Sequence, residues 1–367
     1  MTELTQATAS APSVFVGIDL GVRRSHLCAI HVAGRKLKHG SVASTADGFR
    51  SWIASFPGAK AVLETGASSR WVEALLRKAG WDAVTVDAAH VAPELRSRGE
   101  KSDRHDAARL AELLRVGSTL LSPVVHKPEQ FFADYSTVRA RASAVAIRTK
   151  LINSLRGLAK AVGEPLKKTD ARVFSRAAAP GLRDEYRSAT AGILRIIAAV
   201  DAEIRLYDEE LERVAERHVI VKRLRKVPGV GLITAVTFAL VVFRPARFRD
   251  ADALAAYLGL TPRRAQSGDQ DPQCGITKQG NKLLRTYLIQ AAHRLINLRE
   301  DSDLKRWADA YLARGGGKKA RKVAVVAVAR RLAVVLYTLW KSGAEYDPLY
   351  QTKRAAADAE ARLRLAG

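Results

Sequence analysis

Four carboxylates carry the strongest chemical signal in the chain. Asp19 stands near the end of the apolar run 14–20 (VFVGIDL), and Glu64 closes the run 59–64 (AKAVLE). Asp103 and Asp106 are three apart in KSDRHDAARLAELL, a spacing that puts both on one face of a helix. Carboxylates gathered at one place repel one another unless a hard divalent cation neutralises them. Mg2+ ions held this way activate an attacking oxygen and stabilise a leaving oxygen in phosphodiester chemistry. Each acid alone has a plainer reading, as a turn residue after a strand or a residue opening a helix. The weight lies in their joint placement.

A second chemistry is possible in the polar loop 259–285, GLTPRRAQSGDQDPQCGITKQGNKLLR. Ser267 precedes Gly268 there, with Arg263 and Arg264 upstream and Lys278, Lys282 and Arg285 downstream. A serine hydroxyl is a weak nucleophile until cations or a base stabilise its alkoxide, and arginines that clamp a phosphate would serve both ends. From the residues alone, a Ser-Gly turn is the simpler reading. Upstream, VPGVGLITA (227–235) has the Pro-Gly-x-Gly turn of a helix-hairpin-helix, in which Gly229 and Gly231 would let backbone N–H groups approach a phosphate. Lys222, Arg223, Arg225 and Lys226 precede it and favour nucleic acid, although such turns also simply join packed helices. Lys318 and Lys319 open a further basic cluster after the glycines at 315–317. The histidines show no metal-ligand spacing.

The elements that must position these groups read as follows. Apolar runs at 14–20 and 26–33 and a polar, alternating run at 36–43 predict three strands in a meander. A helix at 46–55, a strand at 59–64, a helix at 68–79, a strand at 82–86 and a helix at 102–116 follow. That is the order of a ribonuclease H-like α/β domain, an order shared with actin-like ATPases. In such a sheet Asp19 and Glu64 end neighbouring strands. The ATPase alternative is weak, because Val22, Arg23 and Arg24 follow VGIDLG where small or hydroxyl residues are the rule.

From about residue 125 the texture is helical. Residues 138–162 carry apolar Ile147, Leu151, Leu155 and Leu158, and residues 186–217 carry a heptad seam of Ile193, Ile197, Val200, Ile204, Tyr207, Leu211 and Val214. The seam predicts either packing in cis on 138–162 or a coiled coil between protomers, and spacing does not separate the two. The expected organisation is a tail at 1–13, an α/β domain at 14–120, a helical and coiled-coil region at 125–221, a mainly α-helical C-terminal domain at 222–345 with the helix-hairpin-helix, and a tail at 346–367.

Composition narrows the class. With 61 Lys and Arg against 37 Asp and Glu the formal charge is +24, which calls for a polyanionic partner, nucleic acid first. A hydrophobic content of 47% in 367 residues is globular and excludes wholesale disorder. Cys28 and Cys274 cannot build a disulfide framework, which fits a reducing cytosol. The stretch VAVVAVARRLAVVLYTLW is interrupted by Arg330 and Arg331 and reads as a buried helix, so no membrane partner is expected. An aromatic content of 6% gives no base-stacking platform of the single-strand-binding type.

Taken in order, VGIDLG, VLETGASSRWVEALLRKAG, KSDRHDAARLAELL, the basic helical middle, VPGVGLITA and YLGLTPRRAQSG…GITKQGNKLLR resemble the DEDD transposases of insertion-sequence family 110, the bridge-RNA-guided recombinases, from about residue 14 to 345. The resemblance implies a RuvC-like N-terminal domain whose carboxylate tetrad falls on Asp19, Glu64, Asp103 and Asp106 and binds Mg2+. It implies a nucleophilic serine at Ser267, although Gln266 stands where the family commonly has a first serine and Asp269 and Gln270 where glycine is frequent. It further implies excision and insertion of a mobile element, a covalent phosphoserine link, and a structured guide RNA pairing with donor and target DNA. Protomers would form a dimer assembling to a tetramer, at work in the cytoplasm on the nucleoid. Sequence reading delegated to RNA leaves backbone binding to the protein, which a dispersed positive charge suits. The alternative is a junction-resolving nuclease using the carboxylates alone; a non-catalytic nucleic-acid scaffold is a third reading.

Overall fold

The computed structural model describes residues 13–87, 103–117, 121, 123–178, 184–263 and 275–366. Two compact units divide the chain, Met1–His126 and Lys127–Gly367.

The first unit is built on a six-stranded sheet of order β3-β2-β1-β4-β5-β6. β1 (Val14–Asp19), β2 (Arg24–His31) and β3 (Lys36–Ala43) form the antiparallel meander; β4 (Lys60–Glu64) and β5 (Asp82–Val86) run parallel to β1. β6 (Pro123–Val124) adds a short antiparallel edge outside the strands expected from the sequence.

Side chains alternate across a strand, so each apolar run serves two cores. Val16, Ile18, Ala61, Leu63 and Ala83 pack under α1 (Ala46–Ser55) and α2 (Ser69–Lys78), where Phe49, Trp52, Val72 and Leu76 are buried. Phe15, Val62 and Val86 face the other way, against Ala107, Leu110, Ala111 and Leu114 of α3 (Asp103–Val116). Helix α1 starts where Thr45 accepts a hydrogen bond from the Gly48 amide, a side-chain cap that ends the extended backbone of β3. This mixed sheet, covered on both faces, is consistent with the ribonuclease H-like reading.

One buried polar cluster lies outside those apolar patterns. The Thr85 hydroxyl of β5 donates to Glu73 of α2 at 2.5 Å, Arg77 pairs with Glu73 at 3.1 Å, and His126 Nε2 lies 3.1 Å from the same hydroxyl. Burial, the leading cause, holds the His126 pKa below its ordinary value.

In the second unit, α4 (Glu129–Ala161) and α6 (Asp184–Arg217) pack along each other, with α5 (Phe174–Ala178) a short helix between them in the chain. The heptad seam is filled in cis: Ile197, Ile204, Leu211 and Val214 are buried within the chain's own fold. The partner stripe on α4 differs from the one expected. Val138, Ile152, Leu155 and Ala159 are buried, whereas Ile147 and Leu158 are about half exposed. The pair is cross-linked by Arg148–Asp201 at 2.8 Å, both largely buried, and by Arg141–Asp208 at 2.5 Å.

A single large core follows, joining α7 (Val219–Leu224), α8 (Leu232–Val242), α9 (Ala251–Tyr257), α10 (Lys282–Ile296), α11 (Asp303–Ala313) and α12 (Gly317–Ser342). α8 is buried from Thr234 through Val242. Such a helix cannot leave its last carbonyls bare, and the Lys127 ammonium donates to the Leu240 and Val241 carbonyls. Within α12, Ala320–Ser342 is long and apolar enough to cross a membrane by length and composition, but 50% of its apolar window is buried inside the protein. Leu332 and Leu336 sit in the unit's core, and Arg330 pairs with Asp252 at 2.7 Å. α13 (Tyr350–Ala366) is mostly exposed.

Candidate active site

Strand register explains why two of the acids become neighbours. In the parallel pair β1–β4, Ile18 stands opposite Leu63, so Asp19 and Glu64 are the next residues along adjacent strands. By alternation Asp19 shares its face with Phe15 and Gly17, and Glu64 shares its face with Val62, which is the face that α3 covers.

Gly17 decides how closely α3 can approach. A Cβ at this position would collide with the backbone carbonyl oxygen of Ala107 and the amide nitrogen of Ala111. The glycine therefore lets the helix backbone lie directly on β1, two residues before Asp19 and one residue after Asp106. The G of VGIDLG is a structural requirement of the acidic site, which the run by itself does not reveal.

The electrostatics agree with this convergence. Burial first, then the charges of Asp19 and Asp106, push the Glu64 pKa above the ordinary carboxylate value. Half-buried Glu64 of β4 thus feels the half-buried carboxylates of Asp19 on β1 and Asp106 on α3. Asp103 occupies the first position of α3; its side chain lies outside the described residues. Among the described residues, no three His, Cys, Asp or Glu side chains close into a ready-made metal cage. Mg2+ does not require one: it keeps several waters and is held by one or two carboxylates together with substrate phosphate. An open set of hard oxygen donors, with Glu64 pressed by two neighbouring carboxylates, fits that cation.

In the second unit, Ser267 and Arg264 lie outside the described residues, but the stem of their loop is well defined. Pro262 bridges Ile276 in antiparallel fashion; the Arg263 amide donates to Gly275 at 2.9 Å and the Thr277 amide to Thr261 at 2.9 Å. Gly259 and Gly280, both at positive φ, press against the Gln279 and Tyr257 backbones respectively, where no Cβ would fit. Arg285 receives a different task from the nucleic-acid contact expected of it. It is buried, and its Nη1 donates to Leu258 O at 2.9 Å and Gln279 O at 2.8 Å, tying the two sides of the stem. Arg263, Lys278 and Lys282 are accessible around that stem.

The remaining basic residues are scattered in their roles. Arg223 and Lys226 pair with Glu345 at 3.4 and 2.7 Å, Arg225 pairs with Glu212 at 2.8 Å, and Lys222 is exposed. Surface pairs of this kind are weak and exchangeable for phosphate. Gly229 has a structural reason to be glycine: at its positive φ a Cβ would stand only 2.6 Å from the Ala291 carbonyl oxygen of α10. Gly231 caps α8 in extended conformation, with the nearest foreign atom 3.9 Å from a built Cβ. Lys318 and Lys319 fall in the first turn of α12; their side chains lie outside the described residues.

The family model DEDD_Tnp_IS110, described as a transposase, matches residues 16–163, the span that holds all four acids. A second model, described as the transposase IS116/IS110/IS902 family, matches residues 221–308, the span that holds Ser267. The chain is 30% identical over 305 residues to a putative transposase, y4qE, of Sinorhizobium fredii, covering 78% of this chain and 73% of that protein. The chain belongs to the IS110 family of DEDD transposases. It is also 28% identical over 338 residues to the transposase for insertion sequence element IS1111A of Coxiella burnetii, covering 88% of each chain. The transposase for IS1328 of Yersinia enterocolitica is 24% identical over 345 residues, covering 90% of this chain and 98% of that one. As an IS110-family transposase, the protein is a DNA-recombining enzyme, and the acids on β1, β4 and α3 lie within the part that its DEDD family model describes.

Proposed function

We propose that this IS110-family transposase excises and inserts its element by RNA-guided strand exchange, with Asp19, Glu64, Asp103 and Asp106 holding Mg2+ and Ser267 as the nucleophile. The observation that carries the reading is that Glu64 stands next to Asp19 in register and within the field of Asp19 and Asp106, on the face of the sheet where Gly17 admits α3. Bound Mg2+ supplies positive charge at the scissile phosphate. The carboxylates orient that phosphate's surroundings and keep their own charge balanced only in its presence.

At the serine, the Oγ–P bond forms, the bond from phosphorus to the departing sugar oxygen breaks, the hydroxyl proton is lost, and the departing oxygen takes up a proton. Arg263, Arg264, Lys278 and Lys282 offer cations to the phosphate during this exchange. The stem tied by Arg285 gives the loop a firm base. A structured RNA from the same element supplies sequence choice by pairing with donor and target DNA. Protomers act as dimers that assemble into a tetramer, so that the acidic domain of one works with the serine loop of another.

The test uses the complete element with its native flanks on a plasmid in bacteria. The excised circular junction is quantified by amplification for wild type, Asp19→Ala and Ser267→Ala at equal protein level. Both substitutions abolish the junction if the reading holds. Loss with Asp19→Ala alone would remove Ser267 from the chemistry and favour a nuclease that works through the carboxylates only.

A further inference from the structure

Immediately after Asp19 the chain makes the tight connection from β1 to β2, and this turn has an unusual composition for its setting. Val22 is 97% exposed, more than any other large hydrophobic residue among those described. Apolar side chains at hairpin tips are common enough singly to need no explanation. Here, however, the turn beneath Val22 is braced from several sides. The Ser44 amide donates to Arg23 O at 3.0 Å, and the Ser44 hydroxyl donates to Gly21 O at 2.7 Å. That hydroxyl also lies 2.8 Å from the hydroxyl of fully buried Ser25. Arg24 is pinned to β3, with Nε donating to Ser41 Oγ at 3.1 Å and Nη2 to Ser41 O at 2.8 Å. A Cβ on Gly21 would collide with the Arg24 carbonyl oxygen, so the backbone can turn this tightly only with glycine.

The result is a stiff support that holds two side chains clear of the fold, Val22 and Arg23. Arg23 is exposed and makes no ion pair among the described residues. A stiff turn costs little further ordering on binding, which suits a contact site. The turn is also fixed in place relative to the acids, because Asp19 is paired in register with His26 across it.

Resting on the proposed action of the carboxylates on DNA, we infer that the turn is a DNA-contacting element beside the scissile phosphate. Val22 packs its isopropyl group on the deoxyribose and base edge of the adjoining nucleotide, and Arg23 pairs with the neighbouring phosphate. The chemistry is that of a small apolar wedge next to a phosphate clamp. Reach sets the scale: three residues span at most about 11 Å, which is roughly three nucleotides of strand at about 3.4 Å each.

The experiment places a photo-crosslinking benzoylphenylalanine at position 22 of the full chain. The protein is assembled with the element's transcript and a labelled duplex carrying the element end and its flank. Crosslinks are mapped to the DNA junction, and the expected adducts lie within about three nucleotides of it. Val22→Asp and Arg23→Ala are expected to lower the excised junction by about tenfold each at an unchanged melting temperature, since neither side chain supports the fold. Adducts confined to the RNA, to a second protein chain or to distant DNA would overturn the inference, as would an absence of adducts or a fully active Val22→Asp. The excision assay with Asp19→Ala reports separately on the carboxylates, so failure of the turn's role and failure of the proposed chemistry remain distinguishable.

Discussion

At the residue scale, the acidic site depends as much on a missing side chain as on the carboxylates. Gly17 admits α3, and α3 brings Asp106 toward Asp19 and Glu64. Gly17→Ala must therefore move a helix backbone, and a stability loss of about 1–3 kcal/mol is expected from overpacking of this kind, together with loss of excision. Glu64→Gln is expected to act oppositely on stability. It removes a half-buried negative charge that Asp19 and Asp106 oppose, so Mg2+-free protein melts at the same or a higher temperature while excision is lost. Thermal melting of the two variants side by side checks both statements. The acids themselves are legible in the sequence, because strand-end placement and helical spacing are local properties. Gly17 is not, because its reason lies in a helix some ninety residues further along the chain. Arg285 misleads for a similar cause: a cation in a polar loop looks like a phosphate ligand until the carbonyls of Leu258 and Gln279 close around it.

At the scale of elements, the first five strands follow from the apolar runs and from polar alternation, with the strand Lys36–Ala43 and the helix Ala46–Ser55 at their expected bounds. The long helices are legible in existence and not in phase. Ile147 and Leu158 look like core on a helical wheel, yet α6 meets α4 through Ile152, Leu155 and Ala159, while charged pairs such as Arg148–Asp201 share the interface. The start of α4 and the end of α6 are joined by Asp134, which is buried and receives Gln130 at 2.9 Å, Arg217 at 2.7 Å and His218 at 2.9 Å. Burial alone would raise its pKa, but hydrogen bonds from Arg217, His218 and Gln130 outweigh it and leave the pKa lowered. A carboxylate whose folded pKa lies below its unfolded value stabilises fully above the unfolded value of about 3.9 and loses that contribution as pH falls through the folded one. Asp134→Asn is expected to cost about 2–4 kcal/mol at neutral pH, and to flatten the acid limb of a stability-against-pH curve below about pH 4. Urea unfolding at several pH values measures it.

At the scale of the whole molecule, a charge of +24 is spread over a chain in which many cations already have acidic partners, Arg223, Arg225 and Lys226 among them. Such pairs hold little energy at the surface and release their cations to a phosphate backbone when one arrives. That behaviour suits the proposed function, in which a guide RNA rather than base contacts would choose the DNA. The two units divide the proposed chemistry, the carboxylates in Met1–His126 and the braced stem of the serine loop in Lys127–Gly367. The central claim is that Asp19, Glu64 and Asp106 form one divalent-cation site on DNA. Its most direct test is electron paramagnetic resonance of Mn2+, a Mg2+ surrogate, titrated into the protein bound to its element-end duplex. Asp19→Asn should weaken the tight Mn2+ signal by at least about tenfold relative to wild type, as loss of a liganding charge demands. Equal Mn2+ binding by wild type and Asp19→Asn would contradict the site.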